Sequence, residues 1–326
     1  MKKKIVLLTG GNSAEAVISI QSAGQMLQHL DDTLFDIYPI TITGASWTYT
    51  YNDDKIDVDK NDFSVTVDGK RICFDCVVPM IHGTPAEDGR LQAYFELMQT
   101  PYITCDVLTS SLTFNKHACK TYLNSLGILF PKGKLIRKGE NIDAQEIFSW
   151  VGLPCFIKPN NGGSSFGITK IKSSDELSSA LETAFAEDTH EVLVEEFIEG
   201  TEITCGLVKL NGKITVFPIT EIVSKNEFFD VEAKYKAGMA DEITPARISE
   251  TLRADCETIS IAIYKFLNCK GIVRIDYMVR NGRLYFLEVN TIPGMSAASI
   301  IPKQIDAMGT ISVKDLYTNL INEAIG

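Results

Sequence analysis

Nowhere in the 326 residues does an apolar run approach the ~20 needed to span a bilayer. The opening Met1-Lys2-Lys3-Lys4-Ile5-Val6-Leu7-Leu8 imitates a secretory leader, but its apolar stretch stops at Thr9-Gly10-Gly11. A leader needs ~7–15 apolar residues, so the segment reads as a buried first strand and a tight turn. A long basic run is missing too: 31 Lys+Arg face 42 Asp+Glu, a net charge of −11. That balance argues against nucleic acid or an anionic membrane as main partner, yet leaves room for a small phosphate ligand held by local lysines. Neither G-x-x-x-x-G-K-[ST] nor G-x-G-x-x-G occurs. Cys73 and Cys76 form the only C-x-x-C, with no second pair to complete a zinc site. Without a leader, the eight cysteines read as reduced, cytosolic thiols. Internal repeats are absent.

What is present is an ordinary globular composition, 45% apolar and 22% charged. A chain of this length buries roughly three-quarters of its unfolded surface and divides into two or three domains. Periodicity predicts strand 4–9, helix 14–30 (through Val17, Ile20, Ala23, Met26, Leu27 and Leu30), strand 35–40, short strands and turns over 44–72, strand 74–80 and helix 91–98. Such alternation implies a parallel sheet covered on both faces. Residues 1–101 form this α/β unit. A second unit, 102–197, carries helices 116–126, 142–151 and 175–186 and strands 155–158, 168–171 and 192–196. The third, 198–326, has strands at 202–209, 214–217 and 220–223, a helix at 248–267 and a hairpin at 272–290. Between them lies a polar stretch, 224–241, long enough to read as a functional lid.

Three segments carry chemistry. In the hairpin, Arg274 and Asp276 share one strand face, as do Glu288 and Asn290 on the partner strand. A two-residue Asn281-Gly282 turn would pair 276 with 287 and put Asp276 and Glu288 on opposite faces. A three-residue Arg280-Asn281-Gly282 loop pairs 274 with 288 and 276 with 286. It gathers all four polar residues on one face and Ile275, Tyr277, Tyr285 and Leu287 on the other, and is therefore the predicted register. Two carboxylates and a carboxamide suit Mg²⁺, which completes its shell with phosphate oxygens; a solvated face with an Arg274–Glu288 salt bridge would use the same residues. The second segment, Lys158-Pro159-Asn160-Asn161-Gly162-Gly163-Ser164-Ser165-Phe166-Gly167, lies between strands. It offers backbone N–H groups and a lysine to phosphate, or is a plain glycine loop. The third, Glu195-Glu196-Phe197-Ile198-Glu199-Gly200-Thr201-Glu202, sets carboxylates at a strand end, fit for an adenine amine and ribose hydroxyls or for solvent.

Together with Gly10-Gly11-Asn12-Ser13-Ala14-Glu15, His82-Gly83-Thr84-Pro85-Ala86-Glu87-Asp88-Gly89, Glu232-Ala233-Lys234-Tyr235 and Asn290-Thr291-Ile292-Pro293-Gly294-Met295-Ser296, these segments resemble the D-alanine–D-alanine ligase family of ATP-grasp enzymes, in order and spacing from Ile5 to about Pro302. The resemblance implies an α/β, overall α+β, ATP-grasp fold with an N-terminal Rossmann-like parallel-sheet domain. It also implies ATP-dependent joining of two D-alanines through an acyl phosphate. Lys116, Lys158 and Lys234 would hold phosphates under the 162–167 loop with its Ser165, and Glu195, Glu196, Ile198 and Glu202 would meet adenine and ribose. Asp276, Glu288 and Asn290 would bind two Mg²⁺, with Mn²⁺ a substitute. Glu15 would take the first D-alanine's ammonium and connect through Ser164 to Tyr235. Arg274 and the Gly294 N–H would stabilise the oxyanion, Ser299 and the Ile300 N–H would receive the second carboxylate, and His82 would lie beside the first substrate. The implied setting is cytoplasmic, the assembly a homodimer, and neither nucleic acid nor membrane a partner. Val17, Ala86, Ile292 and Ser296 depart from the usual pattern. In the family a Tyr at position 235 accompanies an amine acceptor; D-lactate and D-serine are the rival acceptors.

Overall fold

The computed structural model describes residues 2–224 and 240–326. The opening apolar run forms β1 (Lys3–Gly10), where Ile5 and Leu7 face one way, Val6 and Leu8 the other, and all four are fully buried. Such a strand belongs at a sheet's centre. After α1 (Ala16–His29), β2 (Phe35–Thr43) pairs parallel with β1. β3 (Ser46–Tyr51) and β4 (Asp54–Asp57) extend that edge antiparallel, and β5 (Ser64–Val67) and β6 (Lys70–Cys73) form a separate hairpin. β7 (Cys76–Pro79) pairs parallel on the other side of β1, giving the order β4-β3-β2-β1-β7, and α2 (Arg90–Leu97) follows. The C-x-x-C is thus split between two strands, with Cys73 exposed and Cys76 buried. Val17, Ile20 and Leu27, expected inside, lie on the outer face of α1 at 64%, 55% and 42% exposure. The helix turns Ser19 and Ser22 inward, where they bind His82: its N–H donates to Ser19 Oγ (2.9 Å), and its Nε2 lies 3.1 Å from Ser22 Oγ.

α3 (Val107–Phe114) and α4 (Lys116–Leu123) lead to a second, wholly antiparallel sheet of order β10-β9-β11-β8. It contains β8 (Gly133–Arg137), β9 (Cys155–Pro159), β10 (Thr169–Ile171) and β11 (Glu191–Glu196). α5 (Ala144–Val151) and α6 (Leu177–Glu187) cover it through Ile147, Val151, Leu181 and Ala184. The periodicity gives no sign of α3: half its residues are Ser or Thr, which compete for the helical backbone.

The third sheet is antiparallel and runs β15-β14-β12-β16-β17, with β13 on β12. Its strands are β12 (Thr201–Leu210), β13 (Lys213–Val216), β14 (Thr220–Ser224), β15 (Ala240–Ile243), β16 (Ile272–Arg280) and β17 (Arg283–Asn290). α7 (Glu250–Phe266) and α4 pack on its apolar face. Ser224 pairs with Ala240, so the expected lid springs from two paired strands; residues 225–239, with Lys234 and Tyr235, lie outside the described residues.

The hairpin β16–β17 corrects one expectation. Arg280 pairs with Arg283, so the turn holds two residues, Asn281 (φ 53°) and Gly282 (φ 71°), both left-handed as such a tight turn demands. Tyr277 pairs with Phe286, but Asp276 pairs with Glu288 and Arg274 with Asn290, because Leu287 is an extra residue in a β-bulge. The bulge does what the three-residue loop was expected to do and brings the four polar residues to one face. Ile275 and Tyr277 share the core with Leu284, Phe286 and Val289, while Tyr285 and Leu287 stay outside it.

α8 (Ile300–Met308) and α9 (Val313–Ile325) close the chain. α9 returns to the first sheet, where Leu316, Tyr317, Leu320 and Ile321 share one core with Ile5, Leu7 and Val78. That contact ties the last residues to the first. Leu316 is fully buried, so Leu316→Ala is expected to cost about 2–5 kcal/mol, read as a lowered urea midpoint.

Candidate active site

The third sheet divides its side chains by parity. Ile203, Cys205, Ile275 and Tyr277 enter the core, while Glu202, Thr204, Arg274, Asp276 and Met278 face the second sheet. Across the bulged hairpin, Glu288 and Asn290 join that polar face. Asp276 is held by four donors: Arg274 Nε (2.9 Å) and Nη2 (2.8 Å), the Thr204 hydroxyl, and Asn290 Nδ2 (3.0 Å). Arg274 therefore pairs with Asp276, not with Glu288. Glu288 lies 3.4 Å from Lys116 Nζ.

Facing it, β9 and β11 supply Lys158 and Glu195. Lys158 stands opposite Leu193 and Glu195 opposite Phe156, so the two share a face as diagonal neighbours, and the Glu195 carboxylate accepts from both Lys158 and Lys120. All three are buried. Burial opposes charge on Glu195, yet the two lysines hold it below the usual carboxylate range, while Lys120 is pushed down to about 8 by its burial. Lys120 was not foreseen, although it lies one helical turn after Lys116. Lys116, at the start of α4, donates to the Gly162 carbonyl in the glycine loop. That loop holds consecutive left-handed serines, Ser164 (φ 51°) and Ser165 (φ 62°), a costly conformation for non-glycine residues.

Between the two sheets lies a cavity of about 500 Å³. Its walls carry every described residue expected to meet the nucleotide or its phosphates: Lys116, Lys158, Ser165, Glu195, Glu196, Ile198 and Glu202. Glu196 is engaged by Arg280 (2.8 Å) and the Lys132 N–H (3.1 Å), and apolar cover comes from Phe156, Met278 and Leu287. Asp276 and Glu288 line the cavity beside the lysines; Asn290 borders the neighbouring one. Among the described residues no three His, Cys, Asp or Glu form a closed metal cage. Two carboxylates beside an amide, open to a cavity, fit Mg²⁺, which keeps water and phosphate oxygens as its other ligands.

A second cavity of about 90 Å³ adjoins the first, and Arg274 borders both. Glu15, His82, Ser164, Gly294, Ser299 and Ile300 line it. Glu15 sits at the N-terminus of α1, is 4% exposed, and accepts from the Ser164 hydroxyl, so the expected Glu15–Ser164 link exists up to the point where Tyr235 would continue it. Gly83 (φ 71°) is required there: a Cβ would stand 2.6 Å from Glu15 Oε2. Ser299 stands just before α8, its Oγ turned to Ser296 Oγ at 2.8 Å and bonding no helix N–H, beside the amide dipoles of a helix N-terminus.

An antiparallel sheet bearing Lys158 and Glu195 and another bearing Arg274, Asp276 and Glu288, closing with Lys116 of α4 on one cleft, constitute an ATP-grasp fold, the class of ATP-driven ligases. The chain belongs to the D-alanine–D-alanine ligase family. The family profile described as D-ala D-ala ligase N-terminus matches residues 4–105, and that described as D-ala D-ala ligase C-terminus matches 123–322. The chain is 44% identical to a D-alanine–D-alanine ligase of Bacteroides fragilis over 98% of its own length and 99% of the relative's. It is 47% identical to one of Flavobacterium johnsoniae, covering 98% of each chain. Among solved structures it is similar to the VanG D-Ala:D-Ser ligase of Enterococcus faecalis, at 33% identity, TM-score 0.87 and 99% of both chains. A Bacillus anthracis D-alanine–D-alanine ligase complexed with ATP gives 31% identity and TM-score 0.78, over 99% of this chain and 97% of the other.

Two buried groups near Glu15 titrate away from their ordinary ranges. Burial lowers His82 to about 4, helped by the Arg274 charge, so the ring is neutral at pH 7. Burial raises Glu87 to about 8, helped by the Glu15 charge, although the Gly83 N–H donates to it at 2.7 Å. Its place in the His82–Gly89 motif was visible in the sequence; a role for it was not. Between pH 4.5 and 8 the folded state keeps a proton on Glu87 that the unfolded state releases, so stability falls as pH rises. His82 works oppositely between 4 and 6.5, where the unfolded state binds the extra proton. The Glu87 effect therefore stands clear from about pH 6.5 to 7, with a slope of up to about 1.4 kcal/mol per pH unit; nearer 8 it is opposed by Lys120, which burial lowers to about 8. Urea titrations across that window should show the slope in the native protein and its loss in Glu87→Gln.

Proposed function

We propose that the two cavities perform the two halves of one reaction, ATP-dependent formation of D-alanyl-D-alanine, with the roles assigned below. Joining a carboxylate to an amine in water is uphill, because a carboxylate is a poor electrophile. In the larger cavity a carboxylate oxygen of the first D-alanine attacks the γ-phosphorus of ATP, the bond to ADP breaks, and an acyl phosphate forms. Lys116 and Lys158 neutralise charge on the phosphates, while Glu195, Glu196, Ile198 and Glu202 hold adenine and ribose. Asp276, Glu288 and Asn290 hold two Mg²⁺, or Mn²⁺ in its place, which supply charge stabilisation for the transferring phosphoryl group. Lys234 and Tyr235 join from the lid that begins after Ser224, and with the glycine loop exclude water from the acyl phosphate.

In the smaller cavity Glu15 holds the first ammonium, with Ser164 fixing its carboxylate and neutral His82 packing beside it. Ser299 and the Ile300 N–H take the second carboxylate. The second amine attacks the acyl carbonyl; Arg274 and the Gly294 N–H hold the tetrahedral oxyanion, and phosphate leaves. The observation that carries this reading is the position of Arg274, shared by both cavities and clamped by the Asp276 carboxylate. The reaction serves peptidoglycan precursor synthesis in the cytoplasm, and among the described residues no helix is long and apolar enough to cross a membrane. The exposed Val17–Ile20–Leu27 stripe of α1 supports pairing with a second copy as a homodimer.

The test incubates the protein with ATP, Mg²⁺ and D-alanine, alone and with D-serine or D-lactate, across pH 6–9. The expected products are ADP, phosphate and D-alanyl-D-alanine, with formation abolished by chelation and reduced at least 100-fold in Asp276→Ala. A depsipeptide or D-Ala-D-Ser as main product would overturn the acceptor assignment, and full activity in Asp276→Ala would overturn the metal assignment.

A further inference from the structure

The two phosphate-facing lysines come from different elements, Lys116 from the first turn of α4 and Lys158 from β9. Their separation depends on whatever joins those elements. Asn160, two residues beyond Lys158, is fully buried and makes that junction with both its backbone and its side chain. Its carbonyl accepts from the Lys116 N–H (3.0 Å) and its Oδ1 from the His117 N–H (2.9 Å). The next N–H of the helix, Ala118, donates to Oδ1 of the cap residue Asn115 (2.9 Å). The exposed amides of a helix start are thus satisfied by two asparagines, one from across the site.

Both asparagine amino groups converge on a single acceptor. Glu191 Oε2 receives Asn160 Nδ2 at 2.7 Å and Asn115 Nδ2 at 3.3 Å. The Asn160 N–H also donates to the Glu191 carbonyl at 3.2 Å. A carboxylate accepts and never donates at neutral pH, so it fixes which way each amide points: nitrogen to Glu191, oxygen to the helix.

We propose that Asn160, oriented by Glu191, is a positioning residue that sets Lys116 against Lys158 for the nucleotide phosphates. It lines neither cavity. The inference rests on the functional reading above only in taking those lysines as phosphate ligands.

Asn160→Asp keeps an acceptor for His117 but sets a second carboxylate against Glu191. Adding Glu191→Gln restores a donor between the two positions. Calorimetric titration with a non-hydrolysable ATP analogue and Mg²⁺ should show Kd at least tenfold weaker in Asn160→Asp. In the double variant Kd should return to within threefold of the native value, and the D-alanine KM should move less than twofold throughout. Unchanged nucleotide affinity, no rescue, or an equal change in the D-alanine KM would overturn the proposal, since general damage to the fold would follow the last two patterns. Should Asn160→Asp not fold, Glu191→Ala carries the test, with at least fivefold weaker analogue binding expected and unchanged binding contradicting the tether. A native protein that binds the analogue but makes no dipeptide would sink the functional reading while leaving the tether to be judged on the same affinities.

Discussion

Asp276 and Arg274 hold each other in a two-pronged pair on the face of one strand, and the geometry of the cleft depends on that pair. A bidentate pair fixes both planes as well as the distance between the charges. The guanidinium is thereby held at the junction of the two cavities, and the carboxylate lines the larger one. Thr204 and Asn290 add one donor each to the two from Arg274, so a carboxylate 5% exposed remains compatible with folding. The pair itself needs only the two-residue period of β16, and the extra residue at Leu287 brings Glu288 and Asn290 to the same face. In a regular two-residue hairpin, Glu288 would stand opposite Ile275 and point into the core.

The opposite wall follows a similar rule with the signs exchanged. Lys158 and Lys120 are buried beside one another, and each is tolerable because Glu195 sits between them. In the proposed reaction, incoming phosphate meets lysines already desolvated and already oriented, so less reorganisation is needed at the moment of transfer. The glycine loop is drawn to this wall through Lys116 and to the small cavity through Ser164 and Glu15. One loop therefore touches both halves of the chemistry.

Much of this was legible in the sequence because it rested on short-range order. β1 announced itself by an apolar run ended by glycines, and the grouping of Arg274, Asp276, Glu288 and Asn290 followed from the two-residue period of a strand. The route to that grouping was misread: nothing in a leucine distinguishes a bulge residue from an ordinary one, so the missing residue of register was assigned to the turn. The outer face of α1 was misread for a related reason. Val17, Ile20 and Leu27 have helical spacing, but the face turned inward is the serine face that His82 requires. Lys120, Glu87 and Asn160 went without roles because their significance lies in partners distant along the chain: Glu195, Glu15 and the start of α4. The last two helices gave no early sign of their place, since the core they complete belongs to the first sheet.

The central claim is that one oxygen of a D-alanine carboxylate is carried away on phosphate, because the site activates that carboxylate as an acyl phosphate next to Arg274. It is tested most directly by supplying D-alanine with isotopically heavy oxygen in its carboxylate and weighing the inorganic phosphate released. The account predicts one heavy oxygen in phosphate for each dipeptide formed. Phosphate free of the label, with dipeptide still produced, would contradict it.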